Sequence, residues 1–421
     1  MCIQKLRSIF VAALLFAPGF FAGAQAQEEI RIGAIYPLTG AAASTGLEMR
    51  HTLELAADMI NNGAKGINMP LAAGGGLPNL KNAKIRLIFA DHQGNPQVGA
   101  TEAERLILQE KVVALIGCYF SNVTATASVV AERNGIPFLN PESSSAKLTQ
   151  RKLKWFFRTT PHDDLFVHNF YEFLKDVETK KGFKSQRIAI LNENTEWGVE
   201  TSRIQVRLAK ELGYNIVESI NYPAKSTQLT SEVQRLKASN ADLLMQSSYL
   251  GDAILAMKTF KEQGFAPKAI LANDAGFSDT EFRRTLGKDA NFVFSREVWA
   301  KDLTTQNPLI KQVNDLYAAK HNTDFNGNSA RSFTGLFVLA DAINRAGSTA
   351  PEAIRKALSE TNIPGNQLIM PWSGVKFDAA GQNTLGRGII VQIQDGEFVT
   401  VWPFDIATKD LIWPMPAWDK R

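Results

Sequence analysis

The sequence predicts an α/β protein built of two doubly wound lobes of parallel sheet, and three observations support this fold class. Short apolar segments alternate with longer segments whose apolar residues recur at helical spacing, which is typical of a parallel sheet covered by helices. The alternation stops and restarts near residue 160, so two sets of strand and helix units follow one another. The chain has 421 residues, 45% of them hydrophobic, which is enough for more than one core.

The first set of units begins with an apolar strand and ends before residue 140. Strands are predicted at 30–36, 85–90, 112–116 and 136–139. Helices are predicted at 47–60, 101–109 and 123–133. Asparagine and glycine follow the first and third helices, as is common at helix ends. The glycine-rich segment 63–84 is predicted to be a flexible surface loop.

The second set repeats this pattern and then changes character. Helices are predicted at 166–175, 199–212, 229–238 and 253–263, and strands at 187–191, 215–220, 243–246 and 269–272. A short strand at 292–294 and a strong helix at 333–346 look like additional pieces. Near the end, strands at 389–394 and 398–402 flank Asp395-Gly396, a dipeptide that favours a type I′ turn, so we expect an antiparallel hairpin.

The first 26 residues have the features of a cleavable signal peptide. Lys5 and Arg7 precede an apolar run at 9–16, and Ala24-Gln25-Ala26 is a small-x-small cleavage site. The alternative is a membrane anchor, but the run is shorter than the ~20 apolar residues that a span needs. Export through this segment predicts a periplasmic location in a Gram-negative source. Cys118 is then the one remaining cysteine, so no internal disulfide is expected.

Composition and motifs argue against several classes of function. The 46 basic and 42 acidic residues nearly balance and form no long single-sign run, which disfavours nucleic acid as a partner. The sequence lacks G-x-G-x-x-G, the P-loop motif and the serine elbow G-x-S-x-G. The acidic cluster beside His162 and His168 is more typical of a helix start than of a metal site. We therefore expect no cofactor, no metal and no enzymatic activity.

Hydroxyl, acidic and aromatic residues follow several predicted strands, at the sheet edge where open α/β sheets bind ligands. Ser121 opens a helix, where unpaired amides favour an anion, although it is equally well explained as an N-cap. Ser143 and Ser144 follow the next strand, where serines are also common turn residues. Trp197 and Asp274 follow two later strands, and their alternatives are a core residue and a turn residue.

Several segments together resemble the type I periplasmic substrate-binding proteins of branched-chain amino acid ABC transporters. The similarity spans nearly the whole chain after residue 26. Each segment is weak alone, but their order and spacing are specific. The segments are Ile32-Gly33-Ala34 with Thr39-Gly40 and Gly46, Leu115-Ile116-Gly117 with Ser121, Ile136-Pro137-Phe138 through Pro141 with Leu148 and Thr149, Phe157-Arg158-Thr159, Arg187-Ile188-Ala189-Ile190 with Trp197-Gly198, and Phe377-Asp378 with Gly381.

The resemblance implies two lobes that are joined by three hinge crossovers and close on a ligand between them. The first lobe is expected to combine 27–158 with 292–373, and the second 159–291 with 374–421. The crossovers would then lie near Thr159, Phe292 and Val375.

The resemblance also implies roles for residues at the cleft. A hydroxyl group at Ser121 and backbone amides at Ser143-Ser144 would hold a ligand carboxylate, and Asp274 would meet an ammonium group. The resemblance implies two further sets of residues at the cleft, an aromatic wall and a side-chain pocket. Aromatic wall positions match Trp197 and Tyr249, and the side-chain pocket matches Tyr36, Tyr119 and Phe120.

Departures from the family pattern bear on the ligand. Glu142 stands where a small residue is usual beside the carboxylate loop, and Ser143-Ser144 replaces a common Ala-Thr pair. The resemblance implies a receptor that captures an amino acid or a related small solute and delivers it to an inner-membrane ABC permease. A sensor that presents an amide, a urea-like compound or an aromatic acid to a membrane receptor is the alternative. An exported α/β hydrolase is disfavoured by the missing motifs.

Overall fold

The computed structural model describes residues 29–184 and 186–421, so the predicted signal peptide at 1–26 lies outside the described residues. The strands are β1 (Glu29–Tyr36), β2 (Lys84–Asp91), β3 (Ala114–Gly117), β4 (Phe138–Asn140), β5 (Phe156–Arg158), β6 (Arg187–Glu193), β7 (Asn215–Tyr222), β8 (Leu243–Ser247), β9 (Ala269–Ala272), β10 (Phe294–Glu297), β11 (Asn362–Pro364), β12 (Gly374–Lys376), β13 (Ile389–Gln394) and β14 (Glu397–Trp402). The α-helices are α1 (Ala43–Asn62), α2 (Pro96–Leu108), α3 (Ser121–Asn134), α4 (Lys147–Gln150), α5 (Asp163–Lys181), α6 (Glu196–Leu212), α7 (Thr230–Ala238), α8 (Leu250–Gln263), α9 (Thr280–Leu286), α10 (Pro308–His321), α11 (Gly327–Ala346) and α12 (Pro351–Ser359).

The first lobe contains a parallel sheet with the strand order β2-β1-β3-β4-β5. In β1, Ile32 pairs with Leu87 on one side and with Ala114 on the other. The central strands are buried on both faces, which is why they are nearly continuous apolar runs in the sequence. Helix α11 packs against α1 and contacts β3 and β4, so a late segment of the chain completes this early lobe.

The second lobe contains a seven-stranded sheet with the order β14-β13-β10-β9-β8-β6-β7. Strands β6 to β10 are parallel to one another, whereas β13 runs antiparallel to both β10 and β14. Asp395 and Gly396, between β13 and β14, have φ angles of 53° and 80°, as a type I′ turn requires. The predicted C-terminal hairpin is confirmed.

One predicted lobe boundary differs from the structure. We expected the chain to enter the first lobe at residue 292, but β10 is hydrogen-bonded to β9 and β13 in the second sheet. The chain therefore leaves that sheet after Glu297. Strand β10 has the sequence Phe-Ser-Arg-Glu, and its buried polar residues hide it from a search for apolar runs. The rest of the lobe division remains a prediction.

The loop at 63–84 is packed against the protein rather than lying freely on its surface. Ala72 and Leu77 are fully buried, and Leu77 forms a bridge with Ala83. Gly76 has a φ of 89°, and its amide donates to the carbonyl oxygen of Ile60 at 3.0 Å. Glycine is needed here because the turn brings backbone close to backbone. The prediction of a flexible surface loop missed this packing.

The apolar side chains form one large core in the first lobe and a layer on each face of the second sheet. Across the described residues, no helix combines the length and the apolar character that a membrane span requires.

Candidate functional site

A narrow cavity lies between the two sheets. Most of its lining residues follow the carboxyl ends of β3, β4, β6, β8 and β9, which is the position where open α/β sheets bind ligands. Arg331, from α11, is the exception. The lining residues are Tyr119, Ser121, Glu142, Ser144, Trp197, Tyr249, Asp274, Ala275 and Arg331.

The N-terminus of α3 forms one end of the cavity. Ser121 is the first residue of this helix, is 1% exposed, and its hydroxyl oxygen accepts from the Ser145 amide at 3.4 Å. Ser144 lies in the neighbouring loop, and its carbonyl oxygen accepts from the Asp163 amide at 2.9 Å. The unpaired amides of a first helical turn and the helix dipole both favour a negative charge. This end of the cavity is suited to a carboxylate.

Ser143 does not line the cavity, although we predicted it as a candidate. Its hydroxyl group lies 2.7 Å from that of Thr124 and donates to the carbonyl oxygen of Tyr119 at 2.9 Å. Its amide donates to Asn140 Oδ1 at 2.9 Å. The two hydroxyl contacts join the loop after β4 to α3 and to the segment before it, and the amide hydrogen bond joins the loop to β4, so the Ser143 side chain holds the loop in place.

Aromatic rings form the wall. The ring of Tyr249 lies 4.2 Å from that of Phe120, 4.9 Å from that of Trp197 and 5.3 Å from that of Tyr119, centroid to centroid. Phe120 lies behind Tyr249 and does not line the cavity. The rings of Tyr119, Phe120 and Trp197 thus all pack against that of Tyr249 and bury a continuous apolar surface with it.

Tyr36, another predicted pocket residue, lies beneath the cavity floor. Its hydroxyl group is fully buried and donates to Glu142 Oε1 at 3.0 Å. Ser332 donates to the same oxygen. Tyr36 therefore acts on the cavity through Glu142.

Asp274 lies between two buried arginines. Its Oδ2 is 2.7 Å from Arg296 Nη1 and 2.9 Å from Arg331 Nη1. Arg296 also donates twice to Asn273 Oδ1, and its Nη2 lies 3.9 Å from Asp163 Oδ1. Two guanidinium groups thus share two aspartates, and the charge of this cluster balances without any solute.

Two buried glutamates stand beside that cluster. Burial raises the pKa of Glu142 to about 7, against the lowering effect of the Ser332 hydroxyl and of Arg331. Burial, together with the nearby charge of Asp274, raises the pKa of Glu297 to about 7. Near neutral pH both carboxyl groups are partly protonated, which limits the negative charge at the cavity.

The backbone is strained on both sides of the cavity. Tyr119 has a φ of 82° and Asp274 a φ of 40°, which are unusual for residues with a side chain. Each of these residues follows a buried strand and presents its side chain to the same space. Such strain is concentrated at functional sites, where the surrounding structure holds the residue in place.

Sequence reasoning missed Arg331 and Ala275 and noted Glu142 only as a departure. The predicted helix began at residue 333, whereas α11 begins at Gly327 and Asn326 caps it by accepting from the Ser329 amide at 3.0 Å. Asn326 is a recognisable N-cap and would have extended the helix to include Arg331. Nothing in the sequence indicates that this arginine is buried.

The chain matches the family model of the periplasmic binding proteins over residues 29–397. It belongs to the periplasmic binding protein family. It is 30% identical over 418 residues to the Leu/Ile/Val-binding protein homolog 7 of Brucella suis biovar 1 (strain 1330), covering 98% of this chain and 99% of the relative. It is also 30% identical over 407 residues to homolog 8 of the same strain, covering 95% and 97%.

Solved structures of this periplasmic binding protein fold are also similar. The leucine-binding protein LivK of Thermotoga maritima gives a TM-score of 0.75 at 19% identity and covers 89% of this chain and 99% of its own. A solute-binding protein of R. palustris in complex with 4-hydroxybenzoate gives 0.74 at 17% identity, with 93% and 99% covered.

These findings confirm the predicted resemblance to the type I binding proteins of the branched-chain amino acid transporter family, and the two-lobed α/β fold class. Members of the family are solute-binding proteins rather than enzymes, and they are periplasmic.

Proposed function

We propose that this periplasmic binding protein is an exported receptor that captures a carboxylate-bearing small solute, an amino acid, and delivers it to an ABC permease. The observation that carries the proposal is the cavity between the sheets, closed by residues from both lobes and bordered by the N-terminus of α3. The solute carboxylate would bind the Ser121 hydroxyl and the backbone beside Ser144.

Asp274 is the proposed partner of the ammonium group. Both guanidinium contacts use Oδ2, so Oδ1 is the oxygen that would accept from the solute. Arg296 and Arg331 would then fix the orientation of the carboxylate rather than compete for its second oxygen. A zwitterionic solute adds no net charge to a cluster that is already balanced, which supports this class of ligand.

A second candidate solute is an aromatic carboxylic acid. The three aromatic rings that line the cavity, those of Tyr119, Trp197 and Tyr249, favour a planar ring there, and the two arginines on Asp274 reduce its need for a cationic partner. The names of two similar R. palustris structures record complexes with 4-hydroxybenzoate and with benzoate. In this case Ser121 and α3 keep their role and Asp274 becomes a structural residue.

Delivery to a permease requires a closed state that differs from the open one. In the structure, Ser44 and Thr45 at the start of α1 donate to Asp279 Oδ2 across the two lobes. A solute that touches both lobes stabilises this closed arrangement, and surfaces of both lobes then meet the permease together.

A thermal-shift screen of unfolded and refolded protein tests the proposal. The panel contains amino acids, short amides, urea and aromatic acids. A solute at a hundred times its Kd adds about 2.7 kcal/mol, which raises the midpoint by roughly a few degrees. A selective rise with amino acids is expected. A rise with aromatic acids alone would transfer the proposal to the second candidate, and a rise with urea or amides alone would overturn it.

A further inference from the structure

Three buried polar atoms border the cavity without a hydrogen-bond partner among residues 29–184 and 186–421. They are Tyr119 Oη, Glu142 Oε2 and Arg331 Nε. Their side chains are between 2% and 5% exposed, so bulk solvent does not satisfy them. Two of the three, the Tyr119 hydroxyl and the Arg331 Nε–H, are donors.

These atoms lie on the side of the cavity that holds the charge cluster. Arg331 is fixed there by its contact with Asp274 at 2.9 Å and by its hydrogen bond to Asn328. Burial raises the pKa of the Tyr119 hydroxyl, and the next causes are the nearby charges of Asp274 and Asp279, with Arg331 opposing them. Asp274 thus acts on both the Tyr119 hydroxyl and Arg331, and these two groups also act on each other.

An aliphatic side chain fits this arrangement poorly. A leucine, isoleucine or valine side chain pressed against these atoms would exclude water and offer no hydrogen bond in return. Each donor or acceptor left unpaired in this way weakens binding by roughly tenfold or more. A site built around hydrogen bonds rejects the analogue that lacks the matching group far more strongly than an apolar pocket does.

We infer that the solute carries a second polar group, an amide, carboxylate or hydroxyl, whose oxygen accepts hydrogen bonds from Arg331 Nε and Tyr119 Oη beside Glu142. The inference rests on the proposed function and narrows it. The solute class is a carboxylic acid with an oxygen-bearing side chain, and branched-chain aliphatic amino acids are the disfavoured class. Arg331, Tyr119 and Glu142 are then the residues that determine specificity.

Titration calorimetry with matched solute pairs tests the inference. The two solutes of a pair have similar shapes, but the first has an apolar side chain or ring substituent and the second a polar one. The pairs are L-leucine against L-asparagine, L-methionine against L-glutamine, and 4-methylbenzoate against 4-hydroxybenzoate. The protein is the full chain after signal removal, unfolded and refolded to remove any solute. We expect the polar member of a binding pair to bind at least about 100-fold more tightly.

Tyr119→Phe provides the sharpest variant. It removes one hydroxyl group that has no partner within the described part of the chain, so it takes no hydrogen bond from the fold. The preference for the polar solute should fall about tenfold. Tyr317→Phe is the matched control, because the Tyr317 hydroxyl is also buried and unpartnered among those residues but lies in α10, outside the cavity. The Tyr317→Phe variant should keep the wild-type preference for the polar solute.

The outcomes separate the inference from the proposed function. Tighter binding of L-leucine, L-methionine or 4-methylbenzoate than of its polar partner would overturn the inference and leave the receptor function intact. An unchanged preference in Tyr119→Phe would overturn the role of that hydroxyl group. Absence of binding by every compound of the panel would overturn both the inference and the proposed class of solute.

Discussion

At the scale of single residues, Glu142 shows how burial sets the chemistry of the cavity. Tyr36 and Ser332 donate to its Oε1, while its Oε2 has no hydrogen-bond partner among the described residues. Burial raises its pKa from the ordinary 4.5 to about 7. Between about pH 4.5 and 7 the native state therefore holds a proton that the unfolded chain has released. The stability that this proton contributes is lost as the pH rises from about 4.5 through 7.

Glu142→Gln should remove this pH dependence. The amide keeps an acceptor for Tyr36 and Ser332 and cannot ionise, so the variant should gain stability relative to the wild type as the pH rises. The gain approaches about 3 kcal/mol at pH 8 as an upper bound and vanishes near pH 4.5. Thermal unfolding of both proteins between pH 4.5 and 8 measures it.

Glu352→Gln, an exposed glutamate on α12, makes the same chemical change without burial and is the control. A constant difference in melting temperature between Glu142→Gln and the wild type at every pH would show that Glu142 is ionised throughout this range.

Several residues of the cavity could be predicted because the ends of apolar strands can be located in the sequence. Ser121, Ser144, Trp197 and Asp274 were predicted because each follows a strand and parallel strands end at one edge, and all four line one space. Tyr119 and Tyr249 line it too, but only the family resemblance predicted them. Ser143, Phe120 and Tyr36 do not line it, because the direction of a side chain depends on contacts made by distant segments. Arg331 comes from a helix more than 170 residues after α3, and no local pattern links the two.

At the scale of elements, the starts of α1 and α9 meet across the cleft. Asp279 caps α9 by accepting from the Glu281 amide at 2.8 Å, and it also accepts from Ser44 and Thr45 of α1. Burial raises its pKa, against the hydroxyl of Thr45 and the Glu281 amide. The contact joins the two lobes, so it contributes to the closed state rather than to either lobe.

Thr45→Val should therefore weaken solute binding, although Thr45 does not line the cavity. Valine has the shape of threonine and lacks the hydroxyl group, so the closed state loses one hydrogen bond to a carboxylate. We expect the affinity for the solute found in the thermal-shift screen to fall about five- to tenfold, because solute binding is coupled to closure.

Thr259→Val is the control for this prediction. The Thr259 hydroxyl donates to the Leu255 carbonyl at 2.9 Å within α8, so its loss affects one lobe alone. Calorimetry on both variants is the measurement. Equal affinities of Thr45→Val and Thr259→Val would show that the α1 to α9 contact plays no part in closure.

Element prediction succeeded where the pattern was long and apolar. The C-terminal hairpin and the parallel strands β1, β6, β8 and β9 were predicted within a few residues of their observed bounds. Strand β5, helix α10 and helix α12 were missed, and β10 was assigned to the wrong lobe. Strands β5 and β10 are short, and β10 carries polar residues at buried positions, so neither has a long apolar pattern. Helices α10 and α12 both begin with a proline in the first turn, a start signal in the sequence that the prediction overlooked.

At the scale of the whole molecule, the segments between the lobes are held by buried polar side chains. Arg158 is fully buried, with Nε donating to Gln382 Oε1 at 2.7 Å and Nη1 to the Ser145 carbonyl at 2.6 Å. Asn383 donates to the Thr159 carbonyl at 3.0 Å. Two distant parts of the chain are thus joined beside the predicted crossovers at Thr159 and Val375.

The central claim is that a solute carboxylate binds at the N-terminus of α3. Calorimetric titration of the refolded protein with one binding solute and with its primary carboxamide tests this claim most directly, because the two differ in charge and hardly in shape. We predict one carboxylate bound per chain and at least about tenfold weaker binding of the carboxamide. Equal or tighter binding of the carboxamide would contradict the account.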